Sequence, residues 1–344
     1  MSARPGPGRG VLAVGAVAAA AAGSYAAERA TVARWRRGPD PCRDEPRSVT
    51  GDEYRVEGPD GTELHAVVSG GARSGHGPTV VLAHGYTGTS HHWAPVAARL
   101  VDRGLRVVTY DQRGHGRSSA GPGRFGPEQL ASDLRTVVAA LVDGSPAVLA
   151  GHSMGGIGIQ AGVTHQPDVL DRTAGVVLVS TVARPVPVPL GRLMGRLGGT
   201  ALARRAMAHR VHGRILARGG LGREPTLTAI DVVRHGWATC ADETRAGVLR
   251  DLRDYDYSGT LASLAVPVTI LCGDRDQVTP PAESRRMAGL VPHGLLEIVP
   301  GCGHALPWEA ADRVADAIAA LAEGRGEVPS PGHPEPDEPQ IGAP

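Results

Sequence analysis

Phenylalanine occurs once in 344 residues, and aromatic side chains together make up only 3% of the chain. A pocket built from such a chain is lined mainly by aliphatic groups, which favours alkyl over aryl ligands. Cysteine is scarce as well: Cys42, Cys240, Cys272 and Cys302 stand apart with no C-x-x-C pair. That spacing excludes a zinc knuckle or a thioredoxin-like motif. Their even number leaves disulfides open in an exported protein, beside the reading as four isolated buried thiols. Charge of one sign is lacking overall, since the net charge is +1, and no field of the whole molecule argues for a nucleic-acid partner. Strongly apolar runs of membrane-spanning length are missing too. The stretch from Gly10 to Ala27 is uncharged but rich in alanine and glycine, and arginines flank both ends. Three readings stay open for residues 1–38: an uncleaved membrane anchor, a cleaved secretory signal, or a cytoplasmic Ala-rich helix. The first two place the protein at a membrane or outside the cell. Charge on both flanks leaves the orientation undecided.

What is present is a strand–helix alternation. Tyr54–Glu57 and Leu64–Val68 read as a hairpin around Gly58-Pro59-Asp60-Gly61. Continuous apolar runs follow at Thr79–Ala83, Arg106–Tyr110, Ala147–Ala150, Val176–Ser180, Val268–Cys272 and Leu295–Val299. Such runs are the mark of strands buried on both faces of a parallel sheet. Helical spacing recurs through Trp93, Val96, Ala97, Leu100 and Val101, and again through Leu130, Leu134, Val137, Val138 and Leu141. A further helix is expected over Ala310–Leu321. Alternation of this kind implies right-handed crossovers and a doubly wound sheet. Residues 50–181 and 266–323 are read as its core. Residues 182–265 lack strand patterns and are read as a helical cap over the carboxyl ends of the strands, where open α/β sheets bind ligands. Residues 39–49 read as a polar linker, and 324–344, dense in proline, glycine and acids, as a disordered tail.

Four motifs carry chemistry, each directly after an expected strand. Gly151-His152-Ser153-Met154-Gly155-Gly156 joins a strand to a helix, the context that gives G-x-S-x-G its meaning. A serine on that sharp turn needs small neighbours, which Gly151 and Gly155 are. His84-Gly85-Tyr86-Thr87-Gly88 is placed to supply one oxyanion donor, the Tyr86 N–H, with the Met154 N–H as the other. His84 itself is read as a structural histidine bonding the loop backbone. Gly273-Asp274-Arg275-Asp276 offers two carboxylates. Asp276 is preferred as the partner of a histidine, and Asp274 as a bond to its own loop. Pro300-Gly301-Cys302-Gly303-His304 follows the last strand, and His304 is placed to take a proton from Ser153.

The order Ser153, Asp276, His304 over residues 50–323 resembles the α/β-hydrolase superfamily. Within it the chain is similar to capped esterases, monoacylglycerol-lipase-like enzymes and cofactor-free haloperoxidase-like members. The resemblance implies an α/β-hydrolase fold, a mostly parallel doubly wound sheet with a helical cap inserted after the sixth strand. It also implies that Asp111-Gln112-Arg113-Gly114-His115-Gly116-Arg117-Ser118 holds active-site loops in place. Related epoxide hydrolases and haloalkane dehalogenases carry an aspartate where Ser153 stands, which sets their chemistry aside.

The expected activity is hydrolysis of a carboxylic ester through an acyl-enzyme, on a small-molecule ester or a lipid. Perhydrolysis or carbon–carbon cleavage by the same residues is the alternative within enzymes, and a ligand receptor on the same fold the alternative outside them. No metal or organic cofactor is expected, because no ligand cluster or full dinucleotide glycine pattern occurs in a supporting context. From Thr173 to Arg223 the chain has no Asp or Glu but nine arginines. This basic cap, like the N-terminal segment, is a candidate for membrane contact, against a reading in which its arginines are simply solvated.

Overall fold

The computed structural model describes residues 26, 29–35, 39–71, 78–144, 146–186, 198–292 and 294–324. Eight strands form one sheet in the order β1-β2-β4-β3-β5-β6-β7-β8. They are β1 (Asp52–Glu57), β2 (Glu63–Ser69), β3 (Thr79–Ala83), β4 (Val107–Tyr110), β5 (Ala147–His152), β6 (Thr173–Val179), β7 (Val268–Gly273) and β8 (Leu295–Val299). The first two pair antiparallel with each other, β2 is antiparallel to β4, and all remaining pairs are parallel. This is the α/β-hydrolase fold.

Alternate residues of an interior strand feed two separate cores, which is why β3, β4, β5 and β7 are buried throughout, whereas the edge strand β1 is mostly exposed. Val81, Ala83, Leu149, Leu178 and Ile270 pack on one side of the sheet with Leu134 and Val137. Val80, Leu82, Val148, Ala150, Val177 and Leu271 pack on the other with Leu100, Val314 and Ile318. The helices supplying the two layers include α2 (Ala94–Asp102), α3 (Pro127–Leu141), α4 (Met154–His165) and α13 (Ala311–Ala322), with α1 taken as residues 29–35 and α5 as Pro167–Asp171. Each fully buried Val, Leu or Ile contributes about 1.5–3 kcal/mol relative to exposure, so the two layers are the main stabilising feature.

Chain order reverses beside β3: the chain moves to β4 on one side of it and then to β5 on the other. The carboxyl ends of β3 and β5 therefore flank a topological switch point, the place where such sheets open a ligand crevice. Between β6 and β7 the described residues hold only helices. They are α6 (Ala201–Ala208), α7 (His212–Arg218), α8 (Leu227–Thr239), α9 (Asp242–Asp251) and α10 (Ser258–Ser263). Thr200 and Thr226 cap α6 and α8 by accepting the N–H groups of Ala203 and Ala229. Arg245, 0% exposed, binds this cap together by donating to the carbonyls of Gly198, Cys240 and Thr200 and to Asp242.

One segment differs from the sequence reading. Residues 39–49 have no regular structure, yet they are held down rather than hanging as a linker. Asp40 accepts from the Thr228 N–H and hydroxyl, Arg47 donates to Thr228, and the Val49 N–H donates to His91. The helix expected over Ala310–Leu321 is present as α13, and a short helix, α12 (Leu306–Glu309), precedes it across Ala310, whose φ is −148°. Between α10 and α12 lies α11 (Pro281–Ala288). Of the N-terminal run Gly10–Ala27 only Ala26 is among the described residues, and residues 187–197 of the cap and 325–344 of the tail lie outside them. Among the described residues no helix is long and apolar enough to cross a membrane. The four cysteines carry no disulfide, and Cys42 and Cys302 are half-buried rather than buried.

Candidate active site

Ser153 sits between β5 and α4 with φ 51° and ψ −116°, a region that non-glycine residues avoid at a cost of about 1–3 kcal/mol. The turn is held at both ends: the Ser153 N–H donates to the Val179 carbonyl at 3.0 Å, and the Thr181 hydroxyl donates to the Ser153 carbonyl at 2.7 Å. Glycine is required on both sides. A Cβ on Gly151 would lie 2.5 Å from the Gly156 nitrogen, and one on Gly155 would lie 2.1 Å from the Ala83 carbonyl oxygen. The helix that follows is buried all round, and Gly158 and Gly162 let Leu130 and Leu134 of α3 pack against its backbone.

The Ser153 hydroxyl lies 3.0 Å from His304 Nε2, and His304 Nδ1 lies 2.9 Å from Asp276 Oδ2. Asp276, from the loop after β7, is 3% exposed. Its Oδ1 accepts the Val278 and Thr279 N–H groups at 2.9 and 2.8 Å, and its Oδ2 the Thr279 hydroxyl at 2.7 Å. Burial pushes this carboxyl up, but His304 and the Thr279 donors outweigh it and hold the pKa below the ordinary carboxylate value. Asp274 does something else: it accepts the Gly301 N–H at 2.8 Å and ties two loops together. A hydroxyl, an imidazole and a buried carboxylate in this sequence can pass a proton from the serine to the histidine while the carboxylate fixes the tautomer.

The loop after β3 lies directly against this turn. A Cβ on Gly85 would be 3.1 Å from Ser153 Cβ and 2.7 Å from His152 Nδ1. Met154 follows Ser153 as the first residue of α4, where helical N–H groups have no intrahelical partner, and Tyr86 packs against the apolar cluster that includes Met154. The Tyr86 side chain points to the cap, donating to the Arg245 carbonyl at 3.1 Å and meeting Trp237 edge-on at 5.3 Å. His84 is buried and bonds backbone only, through Nδ1–H to the Gly85 carbonyl at 2.8 Å and Nε2 from the Gln112 N–H at 2.9 Å.

The segment from Asp111 to Ser118 braces the same loop. Asp111 accepts the N–H groups of Ser90 and Arg117, Gln112 donates its amide to the His84 carbonyl, and His115 accepts the Thr87 N–H. Burial lowers the pKa of His84 to about 4 and that of His115 to about 3, so both stay neutral as these bonds require. The cap arginines are partly matched by acids that lie outside the acid-free stretch: Arg204 pairs with Asp242 and Arg214 with Asp231.

Three residues at this site escaped the sequence reading. Thr279 bonds Asp276 and lies 3.3 Å from His304 Nδ1. His152 donates from Nε2 to the His304 carbonyl at 2.7 Å, with burial pushing its pKa well down. Glu309 accepts the N–H groups of Gly303 and Ala305 on either side of His304. His152 lies inside a quoted motif and the other two close behind one, but bonds to backbone groups and to a neighbouring carboxylate leave no residue pattern that marks the role. Among the described residues no three or more His, Cys, Asp or Glu side chains gather as a metal would need.

Comparison with known proteins agrees with this architecture. The chain is 28% identical over 249 residues to a putative non-heme chloroperoxidase of Synechocystis sp., covering 70% of this chain and 89% of that one. It is 28% identical over 261 residues to a non-heme haloperoxidase of Rhodococcus erythropolis, covering 72% and 93%. A thermophilic esterase from Thermogutta terrifontis superposes with a TM-score of 0.67 at 26% identity, over 80% of this chain and all of that one. Residues 76–311 match the family described as serine aminopeptidase, S33, and with well over half of its length inside that match the chain belongs to this hydrolase family.

Proposed function

We propose that the protein hydrolyses carboxylic esters through an acyl-enzyme on Ser153, with His304 as general acid and base and Asp276 as its orienting carboxylate. The observation that carries this reading is the unbroken contact from Ser153 through His304 to Asp276, at 3.0 and 2.9 Å. Ser153 Oγ attacks the ester carbonyl carbon as its proton passes to His304 Nε2. The oxyanion is received by the Tyr86 and Met154 N–H groups, where loss of one donor costs about 3 kcal/mol. Collapse expels the alcohol, which leaves with the proton from His304. Water then attacks the acyl carbon, gives a proton to His304, and the acid departs as Ser153 recovers its hydrogen. Residues between β6 and β7 act as the cap that shapes the acyl site. The low aromatic content of 3% favours an alkyl acyl group.

A panel of p-nitrophenyl esters of increasing chain length, assayed beside Ser153→Ala, tests this. Hydrolysis by the parent and its loss in the variant support the reading, while equal rates contradict it. A second reading has its own support, the names of the haloperoxidase relatives. The same acyl-enzyme attacked by hydrogen peroxide instead of water would release a peracid, so peracid appearing when peroxide is added to the ester assay separates the two.

A further inference from the structure

The backbone around His304 is engaged on every side. Its own N–H donates to the Gly220 carbonyl at 2.9 Å, and its carbonyl accepts His152 Nε2–H at 2.7 Å. The N–H groups before and after it, on Gly303 and Ala305, donate to Glu309 at 3.1 Å (Oε2) and 3.0 Å (Oε1). Glu309 Oε2 also accepts the Gly222 N–H of the cap at 2.6 Å, and the Arg223 N–H donates to the Gly301 carbonyl at 2.7 Å. Strand-like contact between segments 220–223 and 301–305 is close enough to demand glycine. A Cβ on Gly303 would lie 2.4 Å from the Leu221 carbonyl carbon, and one on Gly222 would lie 2.1 Å from the Gly301 oxygen. One carboxylate thus joins two peptide groups flanking the base to one in the cap. Leu221, Ala305 and Trp308 share a small apolar cluster around this seam.

We propose that Glu309 is a positioning residue: its carboxylate fixes the His304 peptide from both sides and ties it to Gly222, so that the base is aligned only while the cap segment 220–223 is seated. The proposal rests on the reading of His304 as the base for Ser153. A carboxylate suits the place because it accepts at both oxygens, whereas a glutamine amide would turn its NH₂ toward one of these donors. Burial pushes the Glu309 carboxyl up and the three N–H bonds pull it back without cancelling that rise. The charges and titratable groups around His304 are Asp276, His152, His92, Glu309 and the neighbouring thiol of Cys302. Of these, Asp276 and Glu309 bring negative charge that favours the imidazolium.

The test is ester hydrolysis by Glu309→Gln and Glu309→Asp across the pH range, beside the parent and Ser153→Ala, with thermal unfolding to confirm the fold. For Glu309→Gln, kcat is expected to fall on the order of 100-fold with little change in KM, as for a displaced catalytic group. The acid limb of kcat/KM should move to lower pH, because a negative charge near the imidazolium is gone. Glu309→Asp keeps the charge and should return the acid limb to its place. A folded Glu309→Gln enzyme with the parent's kcat and acid limb would overturn the proposal. Unchanged hydrolysis by Ser153→Ala would instead overturn the reading beneath it. Should Glu309→Gln not fold, hydrogen exchange in the parent decides. Gly303 and Ala305 amides as protected as those of β5 support the clamp, and rates typical of an open loop overturn it.

Discussion

At the scale of single residues, the site is governed by how little room surrounds Ser153. Its positive φ is kept because the Val179 carbonyl and the Thr181 hydroxyl grip the turn from β6 and the residues after it. The two glycines beside it serve different contacts, Gly151 meeting the start of its own helix and Gly155 meeting the end of β3. Gly155→Ala places a methyl 2.1 Å from a backbone oxygen that cannot rotate away, and overpacking of this kind typically costs about 1–3 kcal/mol, occasionally more. We expect the upper end of that range in urea unfolding and no measurable ester hydrolysis. Parent-like stability would mean that β3 and α4 are not in backbone contact.

At the scale of elements, the loops after β3 and β4 form one buried polar unit whose histidines must stay neutral. The His115 pKa is lowered from 6.5 to about 3 by burial, so the unfolded chain binds a proton first as the pH falls. Its contribution to stability is complete above pH 6.5 and is lost progressively toward pH 3. Glu309 and Asp133, whose carboxyls burial pushes up, act in the opposite direction, since their contribution is lost as pH rises. Comparison with His115→Asn isolates the histidine. The stability gap between parent and variant should narrow by roughly 2 kcal/mol between about pH 7 and about pH 5; a constant gap would show that His115 titrates normally in the folded protein.

These loops also mark how far the sequence could be read. Strands stood out because burial on both faces leaves an unbroken apolar run, and the residues just beyond each strand end could be placed from that alone. Residues 39–49 could not, because their anchoring rests on isolated pairs such as Asp40 with Thr228. Thr279 and Glu309 went unseen as site residues because their nearby partners are a carboxylate and peptide N–H groups that leave no residue pattern, while their distant ones, His304 and the Gly222 N–H, come near only on folding.

At the scale of the whole molecule, the site is assembled from parts that the sheet alone would not bring together. Ser153 comes from the centre of the sheet, Asp276 and His304 from the loops after β7 and β8, and the cap contacts the loop after β3, the start of α4 and the His304 loop. Tyr86 reaches Arg245 in α9, α8 lies against the loop after β3 through Gly236 and Thr87, and Glu309 joins Gly222 to the His304 loop. Residues 39–49 then fasten the cap from outside through Asp40 and Arg47. The proposed Glu309 clamp would link cap seating to the alignment of His304. The central claim is that these contacts make Ser153 a nucleophile, and its most direct test is covalent. The protein would be treated with a fluorophosphonate and the labelled peptide identified by mass spectrometry, beside Ser153→Ala and His304→Ala. The account requires stoichiometric phosphonylation at Ser153 in the parent and none in either variant. Label on a different residue, or an unlabelled Ser153 in folded protein, would contradict it.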